Sequence, residues 1–156
     1  MQNSSALLTA LSAELSALQA FVTLLEREQN MLMDNQTDQL IELAEQKASD
    51  AIKLNQIAES RIGLLQQHIP LLNAKTIESW LSQNQPEALP IWQVISDRTQ
   101  HALQLNQTNG ELIQMKLRHN QQALTVLSNA VNKVGVYGRN GQPNFSPGSG
   151  RSLGSG

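Results

Sequence analysis

Leu8, Leu11, Leu15, Leu18, Val22 and Leu25 recur at alternating intervals of three and four residues. That spacing lays one narrow apolar stripe along an α-helix, predicted near residues 5–32. Ser4 or Ser5 caps its start, because a hydroxyl can accept a bond from an orphan backbone N–H. The stripe fades at Gln29, and Asp34, Asn35 and Thr37 supply a polar break. A second helix is predicted near 37–68, with Thr37 as N-cap and Asp38 placed where the helix dipole favours negative charge. Its seam reads Ile41, Ala44, Ala48, Ala51, Asn55, Ala58, Ile62 and Leu65. The alanines make that seam slim enough for a neighbouring helix to come close. Pro70 lacks an N–H and disfavours helical geometry at Ile69, so the helix ends there.

Residues 70–89 form a connector with a short helix predicted near 75–83, turning Ile77, Trp80 and Leu81 inward. Pro86 and Pro90 bracket the entry to the last helix, where proline is tolerated in the first turn. This helix, predicted near 90–134, carries the longest pattern. Its seam is Leu89, Trp92, Ser96, Thr99, Leu103, Asn106, Gly110, Ile113, Leu117, Asn120, Leu124, Leu127, Val131 and Val134. Five of these positions are polar or glycine, which weakens packing but can fix register. Gly110 costs about 1 kcal/mol relative to alanine in a helix interior and is a candidate bend.

The fold class that follows is all-α. The expectation is an elongated antiparallel bundle of three long helices plus a short connecting helix, spanning 1–137. Of the 19 residues in 138–156, 12 are Gly, Ser or Pro, which reads as a flexible tail unable to bury a core.

Composition sharpens this picture. Leucine fills 24 positions while aromatic residues make up only 3%. Strands favour aromatic and β-branched side chains, so the balance fits helix-on-helix packing. Eleven basic and 13 acidic residues leave a formal charge of −2 without a basic patch to neutralise phosphates, which argues against a nucleic-acid partner. With no cysteine, disulfides, thiolate metal sites and cysteine nucleophiles are excluded. The N-terminal stretch has no Lys or Arg before Arg27 and carries Glu14 inside its apolar pattern. It lacks the basic start and uninterrupted apolar run of a secretory signal, and no run is read as a membrane span. A cytoplasmic chain without membrane insertion is expected.

No catalytic arrangement emerges. The residues three places before His68, His101 and His119 are Leu65, Arg98 and Lys116, so no Glu-x-x-His ligand pair exists. HExxH, glycine-rich phosphate-loop and G-x-S-x-G patterns are absent too. His101 and His119 are read as helix-surface residues. The expectation is therefore a non-enzyme without metal or cofactor. The 19 glutamines and 13 asparagines are dispersed at helical spacing and read as a weakly charged, solvated surface rather than an aggregation tract. Two features stay open. The stripe from Leu117 to Val134 is either bundle core or an exposed protein-binding surface. Tyr137, the one tyrosine, either pins the chain end to the bundle or serves as a recognition anchor.

The stretches TQHALQLNQTNGELI at 99–113, HNQQALTVL at 119–127 and VYGRNGQ at 136–142 resemble the FlgN family of flagellar export chaperones. LIELAEQKASDAIKLN at 40–55, followed by Arg61, is similar at a lower level. The resemblance implies a chaperone for flagellar hook-associated proteins, the proteins that join hook to filament. Such chaperones hold the disordered ends of their cargo, prevent premature assembly and bring the cargo to the export gate. It further implies that Leu117, Leu124, Leu127 and Val131 bind cargo and that Tyr137 contacts the gate's cytoplasmic domain. A monomer or weak dimer is expected. The main alternative is a structural coiled-coil scaffold that self-associates through the same stripes; a small helical enzyme or metal carrier is a second.

Overall fold

A computed structural model describes the backbone of residues 2–136 and the side chains of residues 6–133. Four α-helices and a 3-10 turn account for nearly all of it: α1 (Gln2–Met33), α2 (Leu40–Gln66), α3 (Ala74–Asn84), the turn Pro86–Ala88, and α4 (Leu89–Val136). The described residues contain no strand. The all-α class and the order of three long helices and one short one agree with the apolar spacing. By contacts the chain divides into two compact units, Met1–Gly110 and Glu111–Gly156.

In the first unit, α1 begins at Gln2, upstream of the predicted Ser4 or Ser5 cap. It buries Leu7, Leu11, Leu18, Val22 and Leu25 and ends in a Schellman turn. There Gln36 N–H donates to Met31 O at 2.9 Å, Asn35 N–H donates to Leu32 O at 3.5 Å, and Asn35 sits at φ 56°. Asparagine is among the few side chains that enter this left-handed region routinely. The exit from α1 uses up the segment predicted to cap α2. Helix α2 therefore starts at Leu40, later than Thr37, behind Gln39 and without a side-chain cap.

The charged pairs set the direction of α2. Arg61 Nε donates to Glu14 Oε1 at 2.7 Å, and Lys47 Nζ to Glu28 Oε1 at 3.1 Å. As numbering rises along α1 it falls along α2, so the two helices are antiparallel. These pairs also correct the predicted α2 seam. Ile41 is 73% exposed, and Ala44, Ala48, Ala51 and Asn55 all face outward. The inward face runs instead through Leu43, Lys47, Leu54, Ile57 and Arg61, one position away, and meets the predicted seam at fully buried Leu65. A hydrophobicity pattern misses this face because two of its positions are cations, kept inside by carboxylates on α1.

Helix α3 has a complete capping box. Asn73 Oδ1 accepts from Thr76 N–H, and Thr76 Oγ1 accepts from Asn73 N–H, both at 2.9 Å. Its inner face buries Ile77 and Leu81, while half-buried Trp80 stacks on His68 with ring centroids 4.9 Å apart. Ala88 of the 3-10 turn and then Trp92, Ile95, Ala102 and Leu105 of α4 enter the core. The predicted seam agrees at buried Trp92 and then lies one position off: Ser96, Thr99, Leu103, Asn106 and Gly110 are exposed. Arg61 stands over Trp92 at 4.9 Å, level with Glu14, whereas Asn109 reaches Leu25 and Glu28. Numbering thus rises together along α1 and this part of α4, which run parallel to each other and antiparallel to α2. The α4 helix passes through Gly110 without interruption, and a Cβ there would meet open space.

By length and composition α1 is long and apolar enough to cross a membrane between Ala6 and Met33, unlike the expectation that no run is a membrane span. Its buried face, however, packs into the core cluster and carries Glu14 and Glu28 in their ion pairs.

Candidate functional site

Two polar clusters hold the first unit in register. In one, Arg61 forks onto both oxygens of Glu14, at 2.7 and 3.2 Å, and lies against the Trp92 ring. In the other, Asn109 is fully buried, and its Nδ2 donates to Leu25 O and Glu28 Oε1, both at 2.9 Å. Glu28 Oε1 also accepts from Lys47. Each cluster ties three helices together at one level, so slipping any helix by a turn would strand a buried charge or amide. The sequence carried a signal for this: Glu14 and Glu28 are 14 residues apart, and so are Lys47 and Arg61. Equal spacing of opposite charges on two helices is what an antiparallel pair requires. Asn109 left no such signal, because an asparagine among many looks like surface.

An open groove of about 360 Å³ is lined by Arg61, Trp92, Ile95, Ser96, Thr99 and Leu103. Its walls include residues already engaged in the first cluster, and only Leu103 offers a large exposed apolar side chain there.

The second unit is different in kind. From Glu111 to Lys133 no side chain is buried. Leu117 is 56% exposed, Leu124 64%, Leu127 60% and Val131 44%. At roughly 100° of helix per residue, these four and Ile113 fall within an arc of about 80°. They form one stripe about 27 Å long, from residue 113 to residue 131. Asn120 lies inside the stripe, and Gln114, Gln121 and Ser128 run along one edge of it. Stripes of this kind normally face a core. One left open to solvent over several turns is an apolar surface suited to a partner helix. The structure therefore brings the predicted cargo residues together on one face. Tyr137, the predicted gate contact, lies outside the described residues, as does the predicted tail. His101 and His119 are exposed. Among the described residues no three His, Asp or Glu side chains converge as a metal site would need.

Comparison with known proteins places these features in context. The model of the FlgN protein family matches residues 1–144. The flagella synthesis protein FlgN of Salmonella typhimurium is 40% identical over 62 residues, which is 40% of this chain and 44% of that protein. The protein of the same name from Salmonella typhi matches to the same extent. The aligned stretch thus spans less than half the length of either relative. No solved structure matches.

Proposed function

The chain belongs to the FlgN family, and from that premise we propose that it is a cytoplasmic export chaperone for flagellar hook-associated proteins. It holds their disordered terminal segments along α4, keeps them from assembling early, and delivers them to the export gate. The observation that carries this reading is the open stripe of Leu117, Leu124, Leu127 and Val131, an apolar surface of several turns that none of the described residues buries.

The chemistry of holding suits that surface. A disordered segment laid against the stripe as a helix gains apolar burial but loses conformational freedom as it orders. Coupled folding of this kind costs about 2–5 kcal/mol of the gross interaction, which limits affinity and leaves the cargo releasable. No bond is made or broken, so the activity is not enzymatic and calls on no cofactor. Cargo rather than a second copy occupies the stripe, and the free protein is a monomer or weak dimer. Tyr137, just past the last seam residue and between Gly135 and Gly138, contacts the gate's cytoplasmic domain while the helix before it carries cargo.

The test is a double substitution, Leu124→Asp with Leu127→Asp, assayed by calorimetry against the terminal segment of a hook-associated protein. Fully burying a leucine contributes about 1.5–3 kcal/mol. With roughly six-tenths of each side chain still open, the pair offers about 2–4 kcal/mol. Two carboxylates in an apolar contact add a desolvation cost. Binding is expected to fall at least thirtyfold, by about 2 kcal/mol or more, with helix content retained. Unchanged affinity in the folded variant would place the cargo site elsewhere.

A further inference from the structure

The two units differ sharply in charge. Residues 1–110 hold twelve acidic and six basic residues, a net −6. Residues 111–156 hold one acidic residue, Glu111, and five basic ones, a net +4. The small whole-chain charge of −2 hides this asymmetry. Within the described part of the second unit, Lys116 borders the apolar stripe, while Arg118 and Lys133 lie toward the opposite side of the helix. The charged side chains of residues 111–133 are thus Lys116, Arg118 and Lys133, with Glu111 as the single opposing charge.

Other exposed apolar side chains exist on the first unit, including Ile41, Ile52 and Leu103. They sit in the field of an acidic unit. A bare apolar helix would have no electrostatic reason to choose the stripe over them. A helix with acidic flanks would be attracted to the second unit and repelled by the first. Complementarity of this kind acts mainly on encounter rate and on rejection of wrong surfaces.

From this segregation we infer that the occupant of the stripe is an acidic amphipathic helix of a partner protein, with an apolar face matched to the span Ile113–Val131. The inference rests on the reading that the stripe is the cargo site, and it names the chemistry of that cargo. Because Arg118 and Lys133 point away from the stripe, the charge acts at a distance rather than through paired hydrogen bonds. It speeds association and is screened by salt. A membrane is the other anionic surface that a basic amphipathic helix can meet. The stripe does not favour it: the arc is narrow, Asn120 interrupts it, and residues 111–136 contain no Trp, Phe or Tyr to seat at a lipid interface.

The experiment uses the full chain and three synthetic helical peptides of about 20 residues, enough to cover the stripe. All share one apolar face; their flanks carry Glu, Gln or Lys. Association rates are read by stopped-flow fluorescence at about 50 and 300 mM salt, on either side of the physiological Debye length. The Glu peptide is expected to associate about five- to tenfold faster than the Gln peptide at low salt, with the gap closing at high salt. The Lys peptide should be slowest. Arg118→Glu with Lys133→Glu, both on the surface, should erase the ranking while the Gln peptide binds as before. Equal rates for the three peptides, all lost in the Leu124→Asp, Leu127→Asp variant, would overturn the inference and leave the cargo site standing. Peptide binding undiminished in that variant would overturn both. Partition onto vesicles of phosphatidylcholine and phosphatidylglycerol, with no ranking among peptides, would assign the stripe to membrane and also overturn the inference.

Discussion

Replacing Arg61 by alanine tests the internal frame on which the site depends. Its guanidinium forks onto Glu14 at 2.7 and 3.2 Å, with side chains 14% and 6% exposed. Removing it leaves a carboxylate on the apolar face of α1, flanked by buried Leu11 and Leu18. Breaking one side of a buried pair costs about 3–5 kcal/mol, most of it the penalty of the stranded charge. Loss of the Trp92 contact at 4.9 Å adds about 0.5–1 kcal/mol. Against a typical domain stability of about 5–15 kcal/mol, that is about a quarter of the total or more. The assay is urea denaturation followed by tryptophan fluorescence, since both tryptophans, Trp80 and Trp92, lie in the first unit. Glu14→Leu with Arg61→Met is the decisive companion. It removes both charges at similar volume and should return to within about 1 kcal/mol of the parent, or exceed it. A loss below about 1 kcal/mol for Arg61→Ala would refute the reasoning, because it would mean the pair behaves as a solvated surface bridge.

Two further predictions concern the rest of the chain. Asn109→Ala removes the bonds to Leu25 O and Glu28 Oε1 and should cost about 1–3 kcal/mol in the same denaturation assay. Tyr137→Ala should weaken binding to the export gate's cytoplasmic domain by about 2 kcal/mol, as an aromatic hot spot does, and leave cargo affinity and melting temperature nearly unchanged; a large fall in melting temperature with normal gate binding would assign Tyr137 to packing instead.

The helices themselves were legible because their apolar residues recur every three or four positions, and the breaks at Asp34–Thr37 and Pro70 are chemical stops. The direction each helix faces was less legible. In α1 the buried set shares Leu11, Leu18, Val22 and Leu25 with the leucine stripe, while Leu8 and Leu15 are half-buried beside buried Leu7 and Glu14. In α2 and in the first half of α4, alanines and scattered apolar residues offered two faces one position apart. The choice fell to Arg61, Lys47 and Asn109, whose partners lie on α1, far away in sequence. Periodicity sees only one helix at a time, so it could not weigh those bonds. The apolar stripe proposed to hold cargo was legible for the opposite reason: between Ile113 and Val131 its spacing is regular, and with no side chain buried there nothing competes with the pattern, although its exposure was open until the burial of each side chain was known.

The central claim is that cargo lies on the second half of α4, and hydrogen exchange tests it most directly. Backbone amides between residues 111 and 133 belong to a helix without buried side chains, so they open easily and exchange fast in the free chain. On addition of the terminal segment of a hook-associated protein, slowed exchange is expected across residues 113–131, with amides of the first unit unchanged. Protection confined to the Arg61–Leu103 groove, with residues 113–131 exchanging as in the free chain, would contradict the account.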